Sequence, residues 1–115
     1  MVRTDRDAMR EFRDEMNERI LGSGHQGIQR FFALDQRAYE DGALPARTKE
    51  LLGLVGSMVL RCDDCVAYHV DRCVELGVTD GELLEAFDVA LVVGGSIVIP
   101  HLRRAFAYLD AARGR

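Results

Sequence analysis

Proline is scarce in this chain, two residues in 115, so little in it forbids helix. Strand-like alternation of apolar and polar residues never lasts long enough to argue for a sheet. No apolar run reaches the ~18 residues a membrane-spanning helix needs, because Gly53, Gly56, Gly94 and Gly95 break the longest stretches. Basic residues are not gathered into a stripe: the net charge is -4 and arginines alternate with acids. That excludes an electrostatic case for nucleic acid. Met1 is followed at once by charged residues, so no targeting segment is expected. The expectation is a cytoplasmic protein with no membrane partner. Three cysteines, an odd number, argue against a structural disulfide framework.

What remains is a helical pattern in one domain spanning residues 1–115. Met9, Phe12, Met16 and Ile20 recur at helical spacing in a charged first helix from about Asp5 to Arg19, and Gly22-Ser23-Gly24 breaks it. A second helix is expected from Gln26 to Glu40, ended by Asp41-Gly42. Pro45 suits the first turn of a third, where its missing amide hydrogen costs nothing, and that helix runs to about Leu60. The fourth runs from Cys62 to Gly77, a C-terminal stop. Thr79 caps the fifth, and Glu82 completes a capping box. Gly94-Gly95 separates it from a sixth, roughly Ser96 to Ala112, with Pro100 early in it. With 48% hydrophobic residues in six modest helices, a monomer has more apolar surface than it readily buries, which predicts a homo-oligomer.

The chemistry gathers on the fourth helix, in Cys62-Asp63-Asp64-Cys65 followed by His69. At about 100° per residue, Cys62, Cys65, His69 and Cys73 fall on one inward stripe with Leu76, beside Val66, Val70 and Val74. Tyr68, Asp71, Arg72 and Glu75 fall on the opposite arc. Two cysteines so spaced can close a disulfide or grip a metal. At the first turn of a helix, free amides and the dipole favour a thiolate, while Asp63 and Asp64 oppose it. The same stripe could also be plain core, the reading taken for Cys73. Zinc held by Cys62, Cys65, His69 and Cys73 alone is excluded by their span along the helix, whereas Cys62, Cys65, His69 and an outside carboxylate could form such a site.

On the third helix Glu50 stands at the edge of an apolar arc running from Leu54 through Met58, Leu51 and Val55 to Leu52, near Arg47 and Arg61. It reads either as a solvated, ion-paired glutamate or as a partly buried carboxylate that accepts a proton or orients His69. Gly53 and Gly56 form a smooth patch open to close approach by another helix. His25 lies in a glycine-rich turn and reads as solvated, and His101 reads as lining a pocket or an interface.

Glu50, eleven residues, then Cys62-x-x-Cys65-x-x-x-His69, followed by Gly77, Thr79 and an alanine-rich helix ending in Gly94-Gly95, resembles the carboxymuconolactone decarboxylase superfamily, and more closely its AhpD-like (alkylhydroperoxidase D-like) branch. The likeness covers about residues 30–112. It implies an all-α bundle assembled into homotrimers or homohexamers, and a thiol peroxidase or disulfide oxidoreductase acting in antioxidant defence. On this chain Cys65 would attack a hydroperoxide, Cys62 would resolve the product into a Cys62–Cys65 disulfide, and His69 with Glu50 would relay the proton. No bound cofactor or metal is implied. The reductant would be a lipoyl-bearing or thioredoxin-like protein. Asp64 stands where the peroxidase members carry a histidine. A lactone decarboxylase and a non-catalytic redox-sensing module are the alternatives.

Overall fold

The computed structural model describes residues 5–115, so the expectation for the chain's start at Met1 lies outside them. Six α-helices account for the architecture: α1 (Asp5–Gly22), α2 (Gln26–Ala38), α3 (Ala46–Val59), α4 (Asp63–Glu75), α5 (Asp80–Gly94) and α6 (Ile99–Arg113), with a short 3-10 turn at Ser96–Val98. Among the described residues there is no strand, and no helix is long and apolar enough to cross a membrane. The expected helices are all present, with ends shifted by a few residues. Pro45 lies one residue outside α3 as its N-cap, and Pro100 sits at the start of α6. The capping box forms as expected: Glu82 N–H donates to Thr79 Oγ1 (3.2 Å) and Thr79 N–H donates to Glu82 Oε1 (2.9 Å).

The core is built by α3–α6. Each contributes a stripe of helical period: Glu50, Leu54, Ser57 and Met58 from α3, Val66, Val70 and Cys73 from α4, Leu83, Phe87 and Ala90 from α5, and Ala105, Tyr108 and Leu109 from α6. The apolar arc drawn for α3 is too wide at its far edge, where Leu52 is exposed. Helices α1 and α2 bury no residue fully. Helix α1 lies against the bundle through its arginines on Asp71 and through Met9, and Phe31 and Leu34 of α2 are left exposed.

Helices α3 and α4 form a hairpin whose turn fixes the first motif cysteine from both sides. Arg61 adopts the left-handed conformation (φ 60°), Arg61 N–H donates to the carbonyl of Met58, and Cys62 N–H donates to that of Ser57. This is the Schellman pattern that closes a helix. Cys62 is then the N-cap of α4. Because Cys62 reaches back to Ser57 while His69 reaches back to Glu50, the two helices run antiparallel.

Candidate redox site

Glu50 lies on the buried stripe of α3 and is 2% exposed. A carboxylate so placed needs a partner, and its Oε2 is 2.7 Å from His69 Nδ1. Arg72 Nε stands 3.7 Å from the other oxygen. Of the two readings open at the sequence level, the buried one holds. Arg47, expected near Glu50, pairs instead with Glu82 at 2.6 Å. The carboxylate fixes the tautomer of His69: Nδ1–H donates to Glu50, and Nε2 keeps a lone pair.

The ring is held on its other sides as well. Tyr39 and Tyr68 lie 5.4 Å and 5.3 Å from it, centroid to centroid. A Cβ at Gly53 would come within 2.6 Å of both His69 Cε1 and the Tyr39 hydroxyl, and within 2.9 Å of His69 Nε2. Gly53 therefore admits the His69 side chain of α4 and the Tyr39 hydroxyl close to α3. Nothing lies within 4 Å of where a Cβ of Gly56 would stand. Along α3, Gly53 follows Glu50 toward the motif, so the Nε2 edge of His69 faces that end of the hairpin. Burial first, and then the Glu50 charge, raise the phenols of Tyr39 and Tyr68 above their ordinary range, so both remain neutral donors beside the imidazole.

Cys62 and Cys65 are joined in a disulfide, with Cα atoms 5.3 Å apart. Cys65 N–H points at Cys62 Sγ (3.3 Å), one of the free amides of the first turn. Cys65 is exposed and Cys62 half-buried, which corrects the expectation that both face inward. Cys62 is a cap with non-helical backbone (φ -100°, ψ 97°), so helical angles do not apply to it. Cys65 lies in the first turn, beyond the reach of the core. His69, one turn later on the same face, is buried.

Cys73 is wholly buried, and burial, followed by the nearby Glu50 charge, pushes its thiol up to about 12. It is core, as expected, and inert as a nucleophile. His25 is exposed and caps α2 by accepting the Ile28 amide at 3.3 Å. Among the described residues no three His, Cys, Asp or Glu side chains are grouped to hold a metal ion.

Two features escaped the sequence reading. Asp71, assigned to the outward arc, is 3% exposed and binds Arg6, Arg10 and Arg13 of α1 and Tyr108 of α6. The available signal was the arginine stripe at helical spacing in α1. His101 Nδ1–H donates to Asp63 Oδ1 at 2.8 Å, which places it against the motif; the sequence carried no sign of that pairing.

A cleft of about 1090 Å³ opens between the α1–α2 pair and α3–α4, lined by Glu50, Tyr39, Tyr68, Arg13 and Arg72 among others. Glu50 thus touches His69 on one side and this cleft on the other.

Residues 28–110 match the Carboxymuconolactone decarboxylase family. The chain is 32% identical over 89 residues to an uncharacterized protein of Cupriavidus necator, covering 77% of this chain and 74% of that one. It is 33% identical over 84 residues, 73% and 76% of the two chains, to uncharacterized protein 4 in the cox locus of Paracoccus denitrificans. A crystal structure of a carboxymuconolactone decarboxylase family protein from Thermotoga maritima superposes with a TM-score of 0.89 at 54% identity, covering 93% of this chain and 91% of that one. An apo carboxymuconolactone decarboxylase family protein from Legionella pneumophila superposes with a TM-score of 0.69 at 30% identity, covering 91% and 87%.

Proposed function

The chain belongs to the carboxymuconolactone decarboxylase family, in its AhpD-like branch, and we propose that it is a thiol-dependent peroxidase or disulfide oxidoreductase. The observation that carries this reading is the Cys62–Cys65 pair at the head of α4, exposed at Cys65 and backed one turn later by a histidine bonded to a buried glutamate. The Thermotoga maritima relative, for which a part in an antioxidative response has been suggested, supports it.

In this mechanism His69 accepts the Cys65 thiol proton, and Glu50 stabilises the imidazolium that results. The Cys65 thiolate attacks the terminal oxygen of a hydroperoxide. An S–O bond forms, the O–O bond breaks, and the departing alkoxide takes the proton from His69. Sulfur is oxidised to sulfenic acid and the peroxide is reduced to alcohol. Cys62, whose sulfur faces the Cys65 amide, then attacks Cys65 as thiolate. The S–S bond forms, the S–O bond breaks, and hydroxide leaves as water after protonation. A dithiol partner, lipoyl-bearing or thioredoxin-like, returns the pair to the reduced state by exchange.

The test is to treat reduced protein with one equivalent of hydroperoxide, alkylate the free thiols and map the peptides by mass spectrometry. A rapid Cys62–Cys65 disulfide is expected, with Cys73 alkylated only after unfolding. Both motif cysteines remaining alkylatable would overturn the reading.

We also assign a homo-oligomer. Apolar side chains stand exposed on α2 (Phe31, Leu34), in the α3–α4 turn (Leu60) and at the end of α5 (Val92, Val93), more than an isolated chain leaves open. Light scattering after size exclusion is expected to give the mass of a trimer or hexamer; a monomer at micromolar concentration would refute it.

A further inference from the structure

One carboxylate–imidazole contact is left over once Glu50 and His69 have been assigned. Asp63, the sequence neighbour of Cys62 and first residue of α4, is held by His101 Nδ1 at 2.8 Å. Arg104, nearly one turn further along α6, brings its Nε to 3.5 Å from the other Asp63 oxygen. Among the described residues Asp64, the second motif acid, makes no such pair and is exposed. Two acids in the motif oppose thiolate formation, and only the one beside Cys62 is offset.

That offset is not constant. Arg104 is a permanent cation, but it is more distant than His101 and mostly exposed, so solvent screens it. An imidazole is the side chain whose charge turns over between about pH 5 and 8. The His101 side chain is 20% exposed, so it exchanges protons with solvent. We propose that His101 is a positioning and tuning residue of the redox pair, setting through Asp63 how readily the Cys62 thiol ionises. This rests on the reading of Cys62 and Cys65 as a redox pair.

The surroundings of His101 give the sign. From α4 it meets Asp63, with Asp64 beside it. From α6 come Arg103 and Arg104. Its partner Asp63 lines, with Asp64 and Arg104, a cavity of about 310 Å³ that Asp5 and Arg6 of α1 also line, and Arg6 is engaged by Asp71 at 2.7 Å. Arg61 lies in the turn before the motif. When His101 is protonated, the Asp63 charge is neutralised and the Cys62 thiolate is favoured. When His101 loses its proton, the carboxylate is unmasked and the thiolate is disfavoured. A lone thiol gains tenfold in thiolate for each pH unit below its pKa. Here part of that gain is cancelled as His101 deprotonates, so the rise is shallower wherever His101 changes charge.

The experiment is the rate of iodoacetamide alkylation of fully reduced protein from pH 5 to 9, resolved per cysteine by peptide fragmentation. Wild type is expected to show the shallow segment at Cys62. His101→Gln should react about three- to tenfold more slowly at the acid end, converge with wild type at the alkaline end, and rise tenfold per unit. His101→Lys, with a fixed charge, should match wild type at the acid end and exceed it at the alkaline end. Asp63→Asn, which removes the carboxylate that His101 offsets, should make Cys62 react faster than wild type at the alkaline end. Coincident profiles for wild type and His101→Gln would overturn the proposal, and so would an Asp63→Asn profile that matches wild type at the alkaline end. Alkylation needs no peroxide, so a chain inert to hydroperoxide still gives a result here, and the two readings fail separately.

Discussion

Cys65→Ser is expected to abolish hydroperoxide consumption, and Glu50→Gln to slow it about 100-fold with the fold intact. Serine keeps the size of the side chain but removes the nucleophile, so no residual rate remains beyond the uncatalysed one. Glutamine at position 50 still accepts a hydrogen bond from His69 Nδ1, now 2.7 Å from the carboxylate, but it carries no charge to stabilise an imidazolium. General acid–base catalysis is worth about 10²–10⁴-fold, and a 100-fold loss corresponds to about 2.7 kcal/mol of barrier. The substitution removes a buried charge without changing shape, so circular dichroism and melting should hold near wild type. Cys62→Ser separates the cysteines: it should leave the first turnover intact and trap sulfenic acid on Cys65, detectable with dimedone. Peroxide consumption surviving in Cys65→Ser and lost in Cys62→Ser would reverse the roles of the two cysteines. Full activity in Glu50→Gln would remove the relay from the mechanism.

The part of this site legible in the sequence is the part carried by helical periodicity. Glu50, Leu54, Ser57 and Met58 recur on one stripe, so the glutamate lay within reach of the core. His69 follows Cys65 by one turn, so its face was fixed by spacing alone. Periodicity failed where the helix gives way to something else. Cys62 sits on a cap, and Cys65 projects from the first turn past the last packed residue, so the wheel placed both too deep. It failed again wherever the partner is remote. Asp63 and His101 are 38 residues apart. Gly53 read as a place for close approach by another helix, and α4 does approach there, but that the groups filling it are His69 and the Tyr39 hydroxyl was not legible. Such pairings depend on how helices cross, which single-helix patterns do not encode.

Asp71 is the strongest case of a remote partner, and it supports the second large prediction. Asp71→Asn should destabilise the protein by about 3 kcal/mol, the lower end for removing one partner of a buried ion pair, and release α1 before the rest of the bundle unfolds. The carboxylate is 3% exposed. It accepts from Arg6 Nε at 2.7 Å and from the Tyr108 hydroxyl at 2.7 Å, with Arg13 and Arg10 at 3.7 and 3.8 Å. Burial, then the bond to Asp71, raise the Tyr108 phenol well above its ordinary range, so tyrosine stays a donor at any pH the protein meets. Asparagine can still receive that hydroxyl, but it cannot compensate three arginines brought together by one helix face. Helix α1 buries no residue fully, and Met9 packs against the core only partly buried; the arginine stripe therefore does most of the holding. Hydrogen exchange should show α1 amides losing protection in Asp71→Asn while α4 and α6 keep theirs, together with a lowered melting temperature. Unchanged α1 protection would mean that the helix is held by apolar contact after all. The cleft beside Glu50 is walled partly by Arg13 and Asn17 of α1, so the same substitution should also open the rear of the relay to solvent. Its effect on peroxide turnover would then exceed what a remote stability mutation produces at a temperature where the bundle is still folded.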